Sequence, residues 1–568
     1  MTAGSAIWYQ SGWPSGLRRC VQVAVSPGGV GSNPTSDKGS AVLPARPWSS
    51  RCREVAARRF LLGAEVERPH AGAVLRGVRL RGEQHLAASP VRRAASPRFR
   101  HSLPPRQTQR AGVMPGLSKL PLEAKVAMAT GLVFFSMLVS RSVLSARIPE
   151  GTRAKLFRLQ FLLFVNSLML IGSVRIWKRV AVGLCRWRGE SCLTHCWKLA
   201  VLLFLTSAHS SFLTLLVLVS EEPSWIGLVT YTCLGSYVIL LFFLFVFGWL
   251  DQARKLLAGS RSAASQAPGA ADRHPKRKDV LAIGVTLALT VLGLLNGAQP
   301  PAVVRVEIPV HKLPRSFDNA KLVLLSDIHL GPTVGKSRLE MIVSMVNQLQ
   351  PDMVAIVGDL TDSQVDPLQT VTEPLRHMKS RLGTYFVTGN HEYYTGDVDR
   401  WFSHLKTLNV QPLHNGNVRV ALPESSEEWF CLAGVDDLEA SVLQYPGHGM
   451  DLARALSGCS TEKAIILLAH QPHAAKRALQ ERPDISLVLS GHTHAGQIFP
   501  LSIPAYLLNP FFAGLYRVGD SSFVYVTPGT VYYGVPMRIG SRAEITEIIL
   551  KSPSGPDTST GARGERAS

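Results

Sequence analysis

The C-terminal half of this sequence lacks the positive charge that the chain as a whole carries. The formal net charge of the 568 residues is +21, but residues 1–113 contain 18 Lys and Arg against 5 Asp and Glu and account for most of it. Residues 302–551 contain 21 basic and 25 acidic residues and are slightly acidic. Because a protein that binds nucleic acid through its phosphates needs a basic surface, we expect no nucleic-acid partner for this part.

Cysteine is also scarce, and the 8 cysteines show no paired spacing. Small secreted domains that depend on disulfides carry closely and regularly spaced cysteines, so this class of protein is excluded, although the redox compartment stays open. Cys185, Cys192 and Cys196 lie close to His195 and resemble a metal-binding cluster. We interpret them instead as free thiols beside a membrane, where such residues can be acylated.

Residues 1–113 lack any sustained apolar periodicity and are rich in Arg, Pro, Gly and Ser. A segment of this composition cannot bury a core, so we predict a disordered basic leader. Its opening resembles a translated non-coding leader, and Met114 precedes the first well-patterned segment, so initiation there is one interpretation. A targeting peptide is the alternative, although the basic-then-apolar architecture of such signals is missing. We also predict a disordered tail at 552–568.

The membrane region, 114–300, contains five apolar runs that lack Asp, Glu, Lys and Arg: 126–140, 159–174, 199–219, 226–250 and 280–298. A helix that crosses a bilayer needs about 20 apolar residues. The runs therefore predict about five transmembrane helices, with a buried or interfacial helix as the alternative for the two shorter runs at the start. Without charges inside the runs, a coupled transporter is disfavoured and a membrane anchor is favoured.

The orientation of these helices follows from the basic residues in their loops. Lys and Arg concentrate in 175–198 and 251–279 and are absent from 220–225. Because basic loops stay in the cytoplasm, the segment after 298 is expected on the non-cytoplasmic side, although the basic residues between 141 and 158 oppose this. The organelle is not indicated. His209 lies inside the third run, where we predict a neutral side chain that is hydrogen-bonded to a neighbouring helix.

From Val303 onward, β-rich segments alternate with helical ones. Continuous apolar runs such as KLVLL and MVAIV predict strands in sheets that are buried on both faces. Polar residues follow the ends of these strands: Asp327, His329, Asp359, Asn390, His391, His470, His492 and His494. Because strand ends hold side chains rigidly at one edge of a sheet, we expect these residues to converge.

The chemistry of this set points to metal ions. Carboxylate, amide and imidazole donors without cysteine suit Mn, Fe or Zn. Seven donors, counted without His391, are too many for one tetrahedral site and suffice for two ions if one carboxylate bridges them. Gly358, Gly389 and Gly491 stand beside the donors and allow the backbone to pack closely. A lone buried histidine is commonly a hydrogen-bonded core residue, but a core has no reason to gather seven donors at one edge.

Five motifs, DIHLG, GDLTD, GNHE, AHQP and GHTHAGQ, occur in this order within residues 302–551. Together they resemble the motifs of the calcineurin-like metallophosphoesterase family. The resemblance implies a four-layer α/β domain, with two β-sheets sandwiched between helices, after the multi-pass α-helical membrane region. It also implies two divalent metal ions, one held by Asp327, His329 and His494, the other by Asn390, His470 and His492, with Asp359 as the bridge.

The resemblance further implies a reaction. A metal-activated water would attack phosphorus, His391 would protonate the leaving oxygen, and Asp362 would orient His391. The expected function is a membrane-anchored phosphoesterase for phosphomonoesters or phosphodiesters. The alternative is a catalytically silent metal-binding receptor or scaffold. No oligomeric state is indicated.

Other polar residues near these motifs receive lesser roles. We expect Glu392, Asp436 and Asp437 to support the ligands or to lie in solvated loops. The histidines His414, His448 and His473 are predicted to lie on the surface.

The apolar segment 498–516 follows the last motif. Its prolines exclude a sixth transmembrane helix. Either the segment packs on the domain core, or Phe511 and Phe512 touch the bilayer or cover the metal site. Because few residues separate the fifth run from the first strand, the site must stay near the membrane, and a lipid-linked phosphoester is a candidate substrate.

Overall fold

The computed structural model of the chain describes residues 120, 122–144, 150–185, 191–257, 277–423 and 425–553. These residues belong to one compact unit. The predictions of a disordered leader at 1–113 and of a disordered tail concern residues outside this set, except for the first two residues of the tail.

The N-terminal part of the described chain is helical. Its helices are α1 (Leu122–Leu144), α2 (Glu150–Ile176), α3 (Cys192–Val217), α4 (Trp225–Leu257) and α5 (Arg277–Ala298), and a π-helical turn, Trp177–Val182, continues α2. Within the described ranges, five helices are long and apolar enough to cross a bilayer, which agrees with the predicted number. Helix α3 ends at Val217, so the third apolar run, 199–219, extends two residues beyond the helix.

The polar side chain of His209 is paired inside the helical bundle. His209 of α3 lies 2.9 Å from Ser173 Oγ and 2.8 Å from Asn166 Oδ1, both on α2, which confirms the predicted interhelical hydrogen bond. Cys192 and Cys196 are free and exposed, and their sulfur atoms lie 4.0 Å apart. His195 Nδ1 donates a hydrogen bond to the carbonyl of Ser191, the N-cap residue of α3.

The C-terminal domain contains two six-stranded sheets. The first has the order β1 (Ala302–Pro309), β12 (Glu544–Lys551), β2 (Lys321–Leu325), β3 (Met353–Val357), β4 (Thr384–Val387) and β5 (Val410–Pro412). The second has the order β10 (Gly514–Val518), β11 (Ser522–Val526), β9 (Leu487–Ser490), β8 (Ile465–Leu468), β7 (Ser425–Gly434) and β6 (Gly416–Leu422). Strands β2 to β5 are parallel, and so are β7, β8, β9 and β11.

The helices of this domain are α6 (Lys336–Leu349), α7 (Val365–Thr372), α8 (Asn390–Thr395), α9 (Val398–Thr407), α10 (Leu438–Val442), α11 (Leu452–Ala455), α12 (Pro472–Glu481) and α13 (Ser502–Leu508). Helices with buried apolar residues, such as α6 and α12, cover the outer faces of the sheets. Successive residues of β2 alternate between two cores: Leu322 and Leu324 face the other sheet, whereas Val323 and Leu325 face helices. This alternation follows from the pleat of a strand, and it produces the predicted four layers.

One covalent feature was not predicted. Cys431 in β7 and Cys459 after α11 form a disulfide. Their separation of 28 residues gives no sign of pairing in the sequence, because the fold alone brings the two thiols together.

The loop between β11 and β12 packs against two membrane helices. Ile539 and Met537 of this loop lie against Gly293 of α5, where an added Cβ would come within 2.9 Å of Ile539 Cγ1. An added Cβ on Gly235 of α4 would likewise lie 2.6 Å from Val535 Cγ1. The glycines therefore let the backbone of the domain reach the helix surface.

Candidate metal centre

The predicted donors lie at one edge of each sheet. In the first sheet, Asp327 and His329 follow β2, and Asp359 follows β3; in the second, His470 follows β8, and His492 follows β9. Because the strands concerned are parallel within each sheet, their carboxyl ends meet at the same edge. The two sheets face each other, so that donors from both converge.

The first group of side chains consists of Asp327, His329 and His494. Their ligand atoms all lie within 4.8 Å of one another. His494 Nε2 lies 3.2 Å from Asp327 Oδ1 and 3.1 Å from His329 Nε2. Two imidazole nitrogens that face each other beside a carboxylate, all buried, form a donor set that suits a divalent cation.

The second group consists of Asp359, His470 and His492, with Asn390 beside them. His470 Nε2 lies 3.2 Å from Asp359 Oδ2, and His492 Nδ1 lies 2.9 Å from Asn390 Oδ1. His470 Nδ1 donates to the Val357 carbonyl at 2.7 Å, which orients the ring and leaves Nε2 toward the group. Such a hydrogen bond on the remote nitrogen is typical of metal-binding histidines.

Asp359 stands between the two groups. Its Oδ2 lies 3.8 Å from His329 Nε2 on one side and 3.2 Å from His470 Nε2 on the other. Although burial disfavours the charged carboxylate, His470 and His391 hold the pKa of Asp359 well below its ordinary value. Asp359 is therefore placed as a bridging carboxylate would be.

A buried polar atom without a partner supports a cation in this space. His470 Nε2 is inaccessible to solvent and makes no hydrogen bond to any residue that the structure describes. The 3.2 Å contact of His470 Nε2 with Asp359 does not have hydrogen-bond geometry. Burial opposes the imidazolium, but Asp359 raises the pKa of His470 well above its ordinary value, so the group attracts positive charge. The residues therefore fit divalent cations.

The backbone of the donor residues is unusual. Asp327, His329, Asp359, His492 and His494 have φ between 50° and 71°. This left-handed region is uncommon for residues other than glycine. Backbone strain of this kind persists where the surrounding structure enforces it and clusters at functional sites.

Gly389 illustrates why glycine stands beside these donors. An added Cβ would lie 2.2 Å from Asp359 Oδ1 and 2.5 Å from Asp359 N. Gly358 and Gly491, the other two predicted positions, approach His470 and Asp327 comparably closely. Any larger residue would displace the donors, as the sequence pattern indicated.

His391 and Asp362 lie together at the open side of the centre. His391 Nδ1 and His329 Nδ1 each lie 2.8 Å from Asp362 Oδ1. The His391 side chain is 12% exposed, against 1% for His329. Burial opposes its charge, but Asp359 and Asp362 raise the pKa of His391 to about 9. His391 is thus protonated at neutral pH, and its Nε2 remains available to a ligand.

Of the two positions expected for Glu392, the structure shows the one that supports the donors. It is buried and not solvated, and its carboxylate accepts four backbone N–H groups, from Asp359 (3.0 Å), Leu360 (2.8 Å), Thr361 (3.1 Å) and Gly389 (2.7 Å). Burial and the nearby Asp359 raise the pKa of Glu392 to about 7. Glu392 therefore ties the loop of the bridging carboxylate to α8.

The remaining acids and histidines near the motifs differ in their burial. Asp437 is buried, not solvated, and burial raises its pKa to about 7. His473 is exposed as predicted. The prediction for His448 is wrong: its side chain is 3% exposed, because its ring packs against Phe402 of α9, Tyr445 of the loop after α10 and the partly buried His414.

Three residues that the sequence did not single out surround the centre. The Tyr533 ring lies 4.5 Å from that of His391 and 4.8 Å from that of His329. Arg538 is fully buried and donates to the His494 carbonyl at 3.0 Å. Tyr231 of α4 packs on Gly534, next to Tyr533, and its hydroxyl has no hydrogen-bond partner among the described residues. No motif in the sequence marks these three positions, because only the fold brings them next to the donors.

Segment 498–516 was expected either to pack on the domain core or to place Phe511 and Phe512 at the bilayer or over the metal site. Phe511 is buried in the core beneath the second sheet, as the packing interpretation predicted. Phe512 is partly buried, and its carbonyl accepts a hydrogen bond from Thr493 at 2.6 Å. The exposed apolar residues of the segment lie instead in and around α13.

Comparison with known proteins agrees with this geometry. Residues 320–496 match the family model described as calcineurin-like phosphoesterase. The chain is 61% identical over 437 residues to a zebrafish (Danio rerio) protein called transmembrane protein with metallophosphoesterase domain; the alignment covers 77% of this chain and 99% of the relative. A bovine (Bos taurus) protein of the same name is 58% identical, with 76% of this chain and 98% of the relative covered.

Similarity extends to bacteria. An uncharacterised metallophosphoesterase of Helicobacter pylori is 37% identical over 281 residues, which cover 49% of this chain and 72% of the relative.

Proposed function

The chain belongs to the calcineurin-like phosphoesterase family, and we propose that it hydrolyses phosphoester bonds at a membrane with two divalent cations. The observation that carries the proposal is the convergence of seven donor side chains from both sheets, five of them on left-handed backbone. Backbone of this kind clusters at functional sites.

The residues divide between two cations. Asp327, His329 and His494 would hold one of them, Asn390, His470 and His492 would hold the other, and Asp359 would bridge both. Two cations of Mn, Fe or Zn character would supply Lewis acidity for the attacking water and for the phosphoryl oxygens. The unpartnered Nε2 of His470, which faces Asp359, supports this assignment.

The chain itself supplies the proton for the leaving group. His391 is protonated at neutral pH, and its Nδ1 is fixed by Asp362, so that Nε2 can donate to the oxygen of the departing alcohol. Asp362 holds His329 through the same oxygen. One carboxylate thus orients both the proton donor and a metal ligand.

The substrate is a phosphomonoester or a phosphodiester, and a lipid-linked phosphoester is the class we favour. Only three residues lie between the end of α5 at Ala298 and the start of β1 at Ala302. In addition, Tyr231 of α4 packs beside Tyr533, whose ring contacts His391. A membrane helix and the candidate centre are therefore in near contact.

We place the domain on the non-cytoplasmic side of the membrane. The basic loops at 175–198 and 251–279 support this orientation. The disulfide between Cys431 and Cys459 supports it independently, because structural disulfides persist in oxidising compartments. Protease added to sealed vesicles should therefore leave the domain intact, and degradation without detergent would contradict this orientation.

Hydrolysis of an aryl phosphodiester and an aryl phosphomonoester, with and without added Mn, tests the enzymatic proposal. Full-length protein should turn over at least one of them, a chelator should abolish turnover, and His391→Ala should lose activity while it keeps its metal. His473→Ala is the matched control, since that histidine is exposed. A wild type that binds metal but hydrolyses neither ester would favour the receptor or scaffold alternative.

A second assay tests the substrate class. Turnover of a phospholipid phosphoester in nanodiscs is compared with that of a soluble dinucleotide. Faster lipid turnover supports the lipid-linked class, and equal rates would remove it.

A further inference from the structure

The segment that follows the last two candidate ligands has an apolar surface without a partner in the described structure. Residues 498–516 contain no Asp, Glu, Lys, Arg or His. Within them, α13 has no buried residue, and four large aliphatic side chains are 45% to 73% exposed: Leu501, Ile503, Leu507 and Leu508. We call these four residues the α13 face.

The segment is bound to the membrane helices at its beginning. The Phe499 ring lies 5.1 Å from that of Phe242 and 6.5 Å from that of Phe243, both on α4. Ile498 packs in the same apolar cluster with Ile239 of α4, and Leu289 of α5 borders it. The α13 face is therefore continuous with the surface that the transmembrane helices offer to lipid.

The position of these contacts along α4 sets their depth. Phe242 lies 17 residues after Trp225, where α4 begins, which is about 26 Å along the helix axis. The apolar span of α4, Trp225–Arg254, has 30 residues and a length of about 45 Å. A hydrocarbon core about 30 Å thick, centred on this span, includes the level of Phe242. Phe499 therefore lies at the level of acyl chains, not above the headgroups.

The same segment is joined to the metal centre. The turn His494–Gly496 leads directly into it, and an added Cβ on Gly496 would come within 2.2 Å of Ser502, the first residue of α13. On its return, the segment accepts a hydrogen bond at the Phe512 carbonyl from Thr493, which lies between the two candidate ligands His492 and His494. A group held by α13 is thus held beside the centre.

We infer that the α13 face is embedded in the acyl chains of the bilayer, and that it receives the acyl chains of a lipid phosphoester that enters the centre sideways from the bilayer. The first part stands on the contacts above, and the second rests on the proposed hydrolytic function. Charge-free apolar surface that continues a transmembrane face has acyl chains as its matching partner. A protein partner is the competing occupant.

Photocrosslinking tests the embedding without any need for activity. A diazirine analogue of leucine replaces Leu507 in the full chain, which is reconstituted in phosphatidylcholine nanodiscs. Glu462 carries the same probe as control, because it is exposed just before β8, at the edge of the sheet opposite the centre. Lipid adducts at 507 should exceed those at 462 by about tenfold or more. Equal adducts at both positions, or crosslinks from 507 to protein, would overturn the embedding.

Kinetics tests the entry of substrate. In the double variant Leu507→Asp, Leu508→Asp, turnover of a phospholipid phosphoester should fall by about tenfold or more, since carboxylates are costly among acyl chains. Turnover of a soluble aryl phosphoester should be unchanged, which also shows that the variant is folded. Equal losses on both substrates would refute entry along α13. If the wild type hydrolyses neither substrate, the proposed function fails, whereas the crosslinking result still decides the embedding.

Discussion

Replacing Asp362 by asparagine separates the charge of this residue from its shape. The Asp362 side chain is 3% exposed, and its Oδ1 receives the Nδ1 atoms of His391 and His329 at 2.8 Å each. Asparagine can present an oxygen at the same place but carries no negative charge. The geometry of the two rings should therefore be kept while the protonation of His391 changes.

The magnitude follows from the type of hydrogen bond. A hydrogen bond to a charged group contributes about 1.5–3 kcal/mol and a neutral one about 1 kcal/mol, so the loss for His391 is about 0.5–2 kcal/mol. Because one pKa unit corresponds to about 1.4 kcal/mol, the pKa of His391 should fall by about one unit from its value of about 9. Weaker orientation of His329 should add a loss of about 10- to 100-fold in activity or metal affinity.

The sign is set by the role of His391. The acid form is required for proton donation, so activity is lost as the pH rises through the pKa of His391. Asp362→Asn lowers that pKa, and the alkaline limb of the pH profile of kcat/KM should move to lower pH. Asp366→Asn is the control, because Asp366 is exposed and pairs only with Arg400 in the described structure. An unchanged alkaline limb together with an unchanged kcat/KM would refute the assigned role of Asp362.

Three further predictions concern the metals and the membrane interface. Asp359→Asn should lose at least one of two bound cations, as measured by elemental analysis; full metal content would exclude a bridging role. Gly293→Leu should lower the thermal unfolding midpoint in detergent, because its side chain would collide with the domain loop, whereas Gly284→Leu, with open space around it, should not; equal midpoints would show that the close contact is not needed. The buried Tyr231 hydroxyl has no partner in the described structure, and such a group lowers stability by about 1–3 kcal/mol. Tyr231→Phe removes it, so the midpoint should stay or rise. Tyr237→Phe deletes a hydrogen bond to a carbonyl of α2 and should lower it; a lower midpoint for Tyr231→Phe instead would mean that its hydroxyl is paired.

Much of the architecture follows from local patterns in the sequence. The membrane helices follow from the length of the uncharged apolar runs, since every buried backbone group in a bilayer must be satisfied within the helix. The strands follow from short apolar runs that end in polar residues, and the donors could be found because His, Asp and Asn after such runs are costly unless they serve a site. His209 was predictable for the same reason.

Other features depend on which surfaces the fold brings together. Nothing local distinguishes the buried His448 from the exposed His473, because burial is decided by α9 and the loop after α10. The sequence could not decide whether Glu392 supports the ligands or is solvated; the fold decides it, because the backbone after β3 and β4 directs four N–H groups toward its carboxylate. Cys431 and Cys459 are likewise paired by the packing of β7 and not by spacing.

The sequence by itself determined the membrane helices, the strands and the identity of the candidate donors, because each depends on residues that are neighbours along one helix or strand. The layering of the domain and the division of the donors around Asp359 were expected only from the family resemblance. Only the tertiary structure decided that Tyr231 of a membrane helix packs beside the centre, and that the exposed apolar residues lie on α13 and not at Phe511. These features depend on distances between segments far apart in the chain, and a periodic pattern carries no information about such distances.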